Sequence, residues 1–116
     1  MNNSQIIQLL DEIADMLEVQ GVDFKPQAYR KVARSIEGFS SDLKKYYAKR
    51  GLAGLKDIPG VGDAISLKLE ELIKTGRLKY YDDLKKKTPK GIIELMAVNG
   101  IGPKKASALY YTQGIK

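Results

Sequence analysis

The sequence predicts an all-α fold, on three observations. No stretch shows the two-residue apolar alternation of a half-buried strand, while most of the chain repeats apolar residues at the spacing of an amphipathic helix. Gly, Pro and Ser–Ser punctuation cuts that pattern into short segments of helix length. A stretch at residues 55–69, LKDIPGVGDAISLKL, returns at 95–109 as LMAVNGIGPKKASAL. Superposed at an offset of 40, Leu55, Ile58, Gly60, Gly62, Ser66 and Leu69 meet Leu95, Val98, Gly100, Gly102, Ala106 and Leu109. Val61 meets Ile101 between the glycines. Each copy reads as helix, Gly-h-Gly turn with h apolar, helix.

The elements follow in order. Residues 4–19 carry Ile6, Ile7, Leu9, Leu10, Ile13, Ala14 and Leu17 on one face, with Ser4 as N-cap and Gly21 as stop. The outer face holds Asp11, Glu12, Asp15 and Glu18, which marks this helix as scaffold rather than a phosphate contact. Residues 23–39 form a second helix, capped by Asp23, with Pro26 in the first turn and Tyr29, Val32, Ala33 and Ile36 inward. Its other face carries Lys25, Arg30, Lys31 and Arg34. Acid on one helix and base on the next favours a ligand surface over ordinary solvated charge. Gly38 and Ser40–Ser41 precede a third helix at 42–50, with Leu43, Tyr46 and Tyr47 inward; residues 51–54 are a loop. The first hairpin's second helix spans 63–74, and a short helix follows at 78–86. Lysines and a proline at 85–90 suggest a hinge, so residues 1–84 form one helical domain and 91–116 hold the second hairpin, whose last helix runs from Pro103 to about Thr112.

A chain of 116 residues makes one compact domain, or a small domain with an attached subdomain. Lys plus Arg outnumber Asp plus Glu by 20 to 14, a net charge of +6, which favours a polyanionic partner and salt-sensitive encounter. There is no cysteine and no histidine, which excludes disulfide and thiolate chemistry and removes the usual general base and zinc ligand. No apolar run reaches the length of a membrane span or signal peptide, so the expected location is intracellular.

The duplicated turn carries its own chemistry. Glycine accepts positive φ, and the turn aims backbone N–H groups at the start of the next helix outward, where they can bind an anion. Gly102 is followed by Pro103, Lys104 and Lys105, which put two cations at a helix end that is already partly positive. They destabilise it unless an anion arrives. In the first copy Asp63 stands there, placed to cap the helix and oppose a phosphate. The second hairpin should hold a nucleic-acid backbone more strongly. With Ile65 at the centre of the buried arc of helix 63–74, Leu69, Leu72 and Ile73 fall beside it, and Lys68 lies about 60° away, on the border. Two readings of Lys68 follow. Its stem lies along the core with the ammonium in water, or its amine is partly desolvated among other cations, which lowers its pKa and frees it to attack a carbonyl carbon.

The two copies resemble the helix-hairpin-helix motif, which grips nucleic-acid backbones without reading sequence. Taken together, Ala28-Tyr29-Arg30-Lys31, Ile58-Pro59-Gly60-Val61-Gly62, Lys68-Leu69-Glu70-Glu71, Thr75-Gly76-Arg77-Leu78 and Gly100-Ile101-Gly102-Pro103 are similar to the amino-terminal region of family X DNA polymerases, the family of polymerase beta. The similarity covers nearly the whole chain in one order. It implies a polymerase beta-like, all-α amino-terminal fold, in which residues 1–84 are a lyase domain and residues from 91 begin a thumb-type subdomain. It implies that Lys68 is the Schiff-base lysine that removes 5′-deoxyribose phosphate in base excision repair, and that Lys25 and Tyr29 contact the 5′-phosphate. It further implies a monovalent cation, Na+ or K+, held by backbone carbonyls of Lys56, Ile58 and Val61, and of Met96, Val98 and Ile101. Mg2+ is expected only in polymerase machinery outside this chain, since no Asp-x-Asp pair on a strand appears.

The expected partner is gapped, nicked or 5′-phosphate-bearing DNA, bound by a monomer. The contacts are Lys25, Tyr29, Arg30, Lys31 and Arg34, the turns Gly60-Val61-Gly62 and Gly100-Ile101-Gly102, and Lys104 with Lys105. Two departures matter. Animal members of that family carry a histidine where this chain has Phe24 and a phosphate-binding lysine where it has Ala64. Both weaken the 5′-phosphate site, which Arg30, Lys31 or Arg34 would have to restore. The alternative is a helix-hairpin-helix module without chemistry, binding DNA by structure or binding protein.

Overall fold

The computed structural model describes residues 1–112, and among them every regular element is a helix. In chain order these are α1 (Asn3–Val19), α2 (Lys25–Glu37), α3 (Leu43–Lys56), α4 (Asp63–Thr75), α5 (Lys79–Lys87), α6 (Lys90–Asn99) and α7 (Pro103–Thr112). The all-α expectation and both hairpins hold.

The core follows the apolar stripes. Ile6, Leu10, Ile13, Ala14 and Leu17 of α1 meet Val32, Ala33 and Ile36 of α2, and Leu43, Leu55, Leu69 and Leu72 complete one continuous cluster. Burying each such aliphatic side chain contributes roughly 1.5–3 kcal/mol. α1 and α2 form the most extensive helix pair, α4 packs on α3, and α1 also supports α5 and α7. The molecule is long and narrow, 51 × 24 × 22 Å.

The helix ends differ from the sequence reading at several places. The cap of α1 is Asn2, not Ser4: its side chain accepts the Gln5 N–H while Gln5 Oε1 accepts the Asn2 N–H, a reciprocal capping box. Asp23 does not cap α2. Phe24 occupies that position with φ 68° and no side-chain cap, and the Lys25 N–H donates to Asp23 O at 2.8 Å across it. This is a γ-turn with positive φ, a rare and strained form. The loop expected at 51–54 is helical. α3 continues to Lys56, broken only at Gly51 (φ 65°, ψ −160°), a conformation that a side chain strongly disfavours. Lys85, Lys86 and Lys87 close α5, so only Thr88 and Pro89 link it to α6; the Thr88 hydroxyl, buried, donates to Leu84 O at 2.9 Å.

Candidate nucleic-acid interface

The two hairpins share a positive-φ first glycine and a following helix whose first bond returns to the second glycine, but α6 runs on to Gly100 where α3 stops at Asp57, and their surroundings differ. In the first, Val61 N–H closes the turn on Ile58 O at 3.0 Å, Gly60 takes φ 91°, and Ser66 N–H reaches back to Gly62 O at 2.9 Å. In the second, Gly100 (φ 64°) donates to Met96 O at 3.1 Å and Ala106 N–H reaches Gly102 O at 2.9 Å. Helix α2 covers the first turn: the Ser35 hydroxyl donates to Pro59 O at 2.8 Å, and a Cβ on Gly60 would come within 3.3 Å of the Lys31 stem. Among the described residues nothing lies within 4 Å of where a Cβ on Gly62, Gly100 or Gly102 would sit, so Gly60 is the glycine at which the two turns differ. The equivalent apolar residues divide accordingly, Ile58 being 3% exposed and Val98 80%.

Charge separates them further. Lys104 and Lys105 stand exposed in the first turn of α7 with no ion-pair partner among the described residues. Asp63 does not cap α4, because Gly62 holds the cap position. Its side chain, 89% exposed, instead pairs with Lys56 at 2.9 Å. The first hairpin draws its cation from outside itself, since the Lys31 stem lies against Gly60 while the residue remains exposed. Of the three residues expected to restore a phosphate site, Lys31 alone has no ion-pair partner among the described residues.

Arg30 and Arg34 correct the sequence reading. Arg30 is bound to Asp15 at 2.8 Å and to Glu18, and Arg34 to Asp11 at 2.7 Å and to Glu37. Asp11, Asp15 and Glu18 of α1 therefore face Arg30 and Arg34 of α2 and pair with them across the helix pair, which leaves Lys25 and Lys31 as the unpaired cations of α2 among the described residues. Arg30 is one-third exposed, and its fork satisfies two carboxylates that packing has partly desolvated. Burial raises the Asp15 pKa, and Arg30 pulls it back only in part.

A separate cluster gathers Lys68, Lys25, Tyr29 and Tyr80. Lys68 is half-buried, with its Nζ 4.6 Å from the centroid of the Tyr80 ring. Burial lowers its pKa, the nearby Lys25 charge lowers it further, and Glu71 acts in the opposite sense. Glu71 is itself held at the start of α5, where its carboxylate accepts the Lys79 N–H at 2.9 Å. Tyr29, expected at the phosphate, is 5% exposed and stacks under Tyr80 with ring centroids 6.2 Å apart; burial pushes its phenol pKa well up. It packs against the Tyr80 ring and is itself almost fully buried. Lys25 is exposed beside this cluster, and so is Phe24, at 86%. Ala64, in the first turn of α4, is exposed and adds no charge.

Sequence reasoning placed Lys68 at the border of the buried arc, and there it lies. It did not find Tyr80, because nothing in residues 78–86 indicates that the ring lies against an amine of the preceding helix. It did not find the strain at Phe24, which is a property of the backbone.

Among the carbonyls expected to hold a monovalent cation, Ile58 O and Met96 O each already accept one backbone N–H, which leaves each a second lone pair. Met96, Val98 and Ile101 belong to the second hairpin, where Val98 is exposed, and Lys56, Ile58 and Val61 to the first, where Ile58 and Val61 are buried. Among the described residues no group of carboxylates, histidines or cysteines could hold a metal ion, and no helix is long and apolar enough to cross a membrane.

Comparison with known proteins agrees with the geometry. The helix-hairpin-helix domain family matches residues 1–78, and the SAM-like helix-hairpin-helix tandem family matches residues 52–110. The chain is 29% identical over 99% of its length to DNA polymerase/3′-5′ exonuclease PolX of Bacillus subtilis, and 27% identical over 98% of its length to DNA polymerase lambda of Rattus norvegicus. It spans 19% and 18% of those two proteins, about a fifth of each. The chain thus belongs to the helix-hairpin-helix domain family and is homologous over nearly its whole length to family X DNA polymerases.

Proposed function

We propose that this chain binds DNA through the phosphate backbone, at gaps or nicks and without regard to base sequence, and that Lys68 is the Schiff-base nucleophile of a 5′-deoxyribose phosphate lyase. The binding half rests on the open second hairpin with Lys104 and Lys105, and on Lys31 beside the first. Phosphate contacts of this kind position a protein on DNA but carry no sequence information. A Na+ or K+ ion on the carbonyls of Met96, Val98 and Ile101 would add a positive charge between that turn and a phosphate.

One observation carries the chemical half. Lys68 is the amine that the fold half-buries over an aromatic ring beside a second cation, and both burial and Lys25 favour its neutral form. A neutral amine adds to the C1′ aldehyde of the opened sugar. Loss of water gives an iminium, and loss of a C2′ proton then breaks the C3′–O bond. The downstream strand departs with its 5′-phosphate, and water hydrolyses the iminium to release the sugar and return the amine. Lys25, exposed and close enough to Lys68 to act on its charge, is the proposed contact for the sugar's own phosphate. Repair of abasic sites is the process this chemistry would serve, within a polymerase of the kind the relatives' names describe.

Borohydride trapping on a 5′-incised abasic duplex tests the proposal. The parent chain should form a covalent adduct and Lys68→Ala should not. The exposed, uncharged Ala64 favours a second reading, DNA binding without chemistry. Tight, salt-sensitive binding with no adduct from the parent would establish that reading instead.

A further inference from the structure

The first half of α3 lies outside both hairpins and the Lys68 cluster and carries its own set of cations. Lys44, Lys45 and Lys49 lie with Ala48 on an arc of about 140° around the helix axis, all exposed, and Arg50 ends that half of the helix with its guanidinium 5.5 Å from the Tyr46 ring centroid. None of the four has an ion-pair partner among the described residues. The neighbouring acids are engaged elsewhere: Glu37 with Arg34, Glu70 with Lys74 and the Tyr47 hydroxyl, Asp63 with Lys56. Asp42 is occupied as the cap, its side chain accepting the Lys44 N–H at 2.8 Å. The chain neutralises its arginines on α2 and leaves the lysines of α3 bare.

The arrangement has a local cost. Lys45 and Lys49 are a like-charged i,i+4 pair, and Lys44 and Lys45 sit in the first turn, where the helix dipole disfavours cations. Lys104 and Lys105 occupy the same two positions in α7. The backbone also sets this half of α3 apart, because Gly51 breaks the helix before the turn that enters the first hairpin.

The position of the face decides what it could touch. The start of α3 is tied to the start of α1, where the Asn3 side-chain amide donates to Ser41 O at 2.9 Å and Asn3 Oδ1 accepts the Leu43 N–H at 2.9 Å. Helix α6 lies at the other end of α1, where Met16 shares a cleft with Met96 and Ala97. The α1 helix alone spans about 25 Å, and the long axis of the molecule, 51 Å, is the length of about 15 base pairs. The bare lysines and the second hairpin therefore lie towards opposite ends.

We propose that the Lys44–Lys45–Lys49 face of α3 is a separate phosphate-contact surface that engages the duplex arm of the DNA away from the second hairpin. This rests on the DNA-binding half of the proposed function, and the partner is a nucleic-acid duplex because the surface offers side-chain cations with no apolar patch between them. It extends the footprint beyond the gap and makes affinity depend on arm length.

The test compares the parent chain with Lys44→Glu/Lys49→Glu on gapped DNA with arms of about 6 and about 18 base pairs. On the long arms the double variant should bind at least tenfold more weakly at low salt, with the slope of log K against log salt reduced by about 2. On the short arms it should match the parent within about twofold. Lys44→Ala/Lys49→Ala should show the same pattern at smaller amplitude, which covers a folding failure of the first variant. Lys104→Glu/Lys105→Glu should weaken both arm lengths alike. Equal losses on both arms from the α3 variants would overturn the proposal, as would no loss on either, which would reassign the face to another kind of partner. A parent that shows no salt-dependent DNA binding would overturn the underlying reading instead.

Discussion

Replacing Lys104 and Lys105 with alanine should move affinity and stability in opposite directions. Among the described residues both lysines are exposed and free of ion pairs, and nothing packs against the glycines of their hairpin. If each neutralises one phosphate, the pair accounts for about 1.8 units of slope in log K against log salt. Extrapolated from a 1 M reference, each contact contributes about eightfold at 0.1 M salt. The double variant should therefore bind about 60-fold more weakly there, a loss of about 2.4 kcal/mol. Stability runs the other way, because each lysine opposes the dipole at the start of α7 by about 0.3–1 kcal/mol, and alanine is also the better helix former. Fluorescence anisotropy on a gapped duplex across a salt series gives the slope, and thermal unfolding of the free chain gives the second quantity. A slope changed by less than about 0.5, or an affinity loss accompanied by a matching fall in Tm, would refute the assignment of these lysines to phosphate.

Lys25→Met should raise the Lys68 pKa by removing a like charge, leaving burial as the main cause of its depression. Adduct formation, which needs the free amine and fails as pH falls through the Lys68 pKa, should then begin at higher pH than in the parent, as single-turnover trapping across pH would show. Phe24→Gly should stabilise the fold by about 1 kcal/mol, since glycine takes φ 68° without strain and the exposed ring gives up no core contact; denaturant unfolding reads this. Arg30→Met should destabilise by about 1–2 kcal/mol at neutral pH, less than a fully buried pair would lose because water reaches these groups. The Asp15 pKa is raised in the folded state, so the fold binds more protons there than the unfolded chain does. The deficit should accordingly shrink as pH falls through the folded Asp15 value, which denaturation at two pH values would show. The same variant should change DNA affinity by less than about threefold, because Arg30 is committed to α1.

The parts of this fold legible in the sequence are those fixed by local pattern. The apolar stripes of α1, α2 and α4 identify themselves by spacing, and so does the border position of Lys68. The repeat identifies both turns, because only glycine-like backbone conformations close them. What the sequence conceals is where one element lies on another. Ile58 and Val98 occupy the same place in the repeat, yet α2 covers the first and leaves the second bare. Asp11, Asp15 and Glu18 read as one surface and Arg30 and Arg34 as another, until helix packing brings them into contact. Lys31 reads in the sequence as one more base of that face, and the approach of Gly60 is what singles it out. Tyr80 and Lys68 meet only through the α4–α5 connection, which Thr75 holds by accepting the Arg77 N–H at 3.1 Å.

The measurement that bears most directly on the central claim is the location of the trapped sugar. The parent chain is reduced with borohydride on a 5′-incised abasic duplex, digested, and the modified peptide sequenced by mass spectrometry. The adduct should map to Lys68, and Lys68→Ala should abolish it without weakening binding to the same DNA. An adduct on the N-terminal amine or on any other lysine, or one that persists undiminished in Lys68→Ala, would contradict the assignment of Lys68 as the nucleophile.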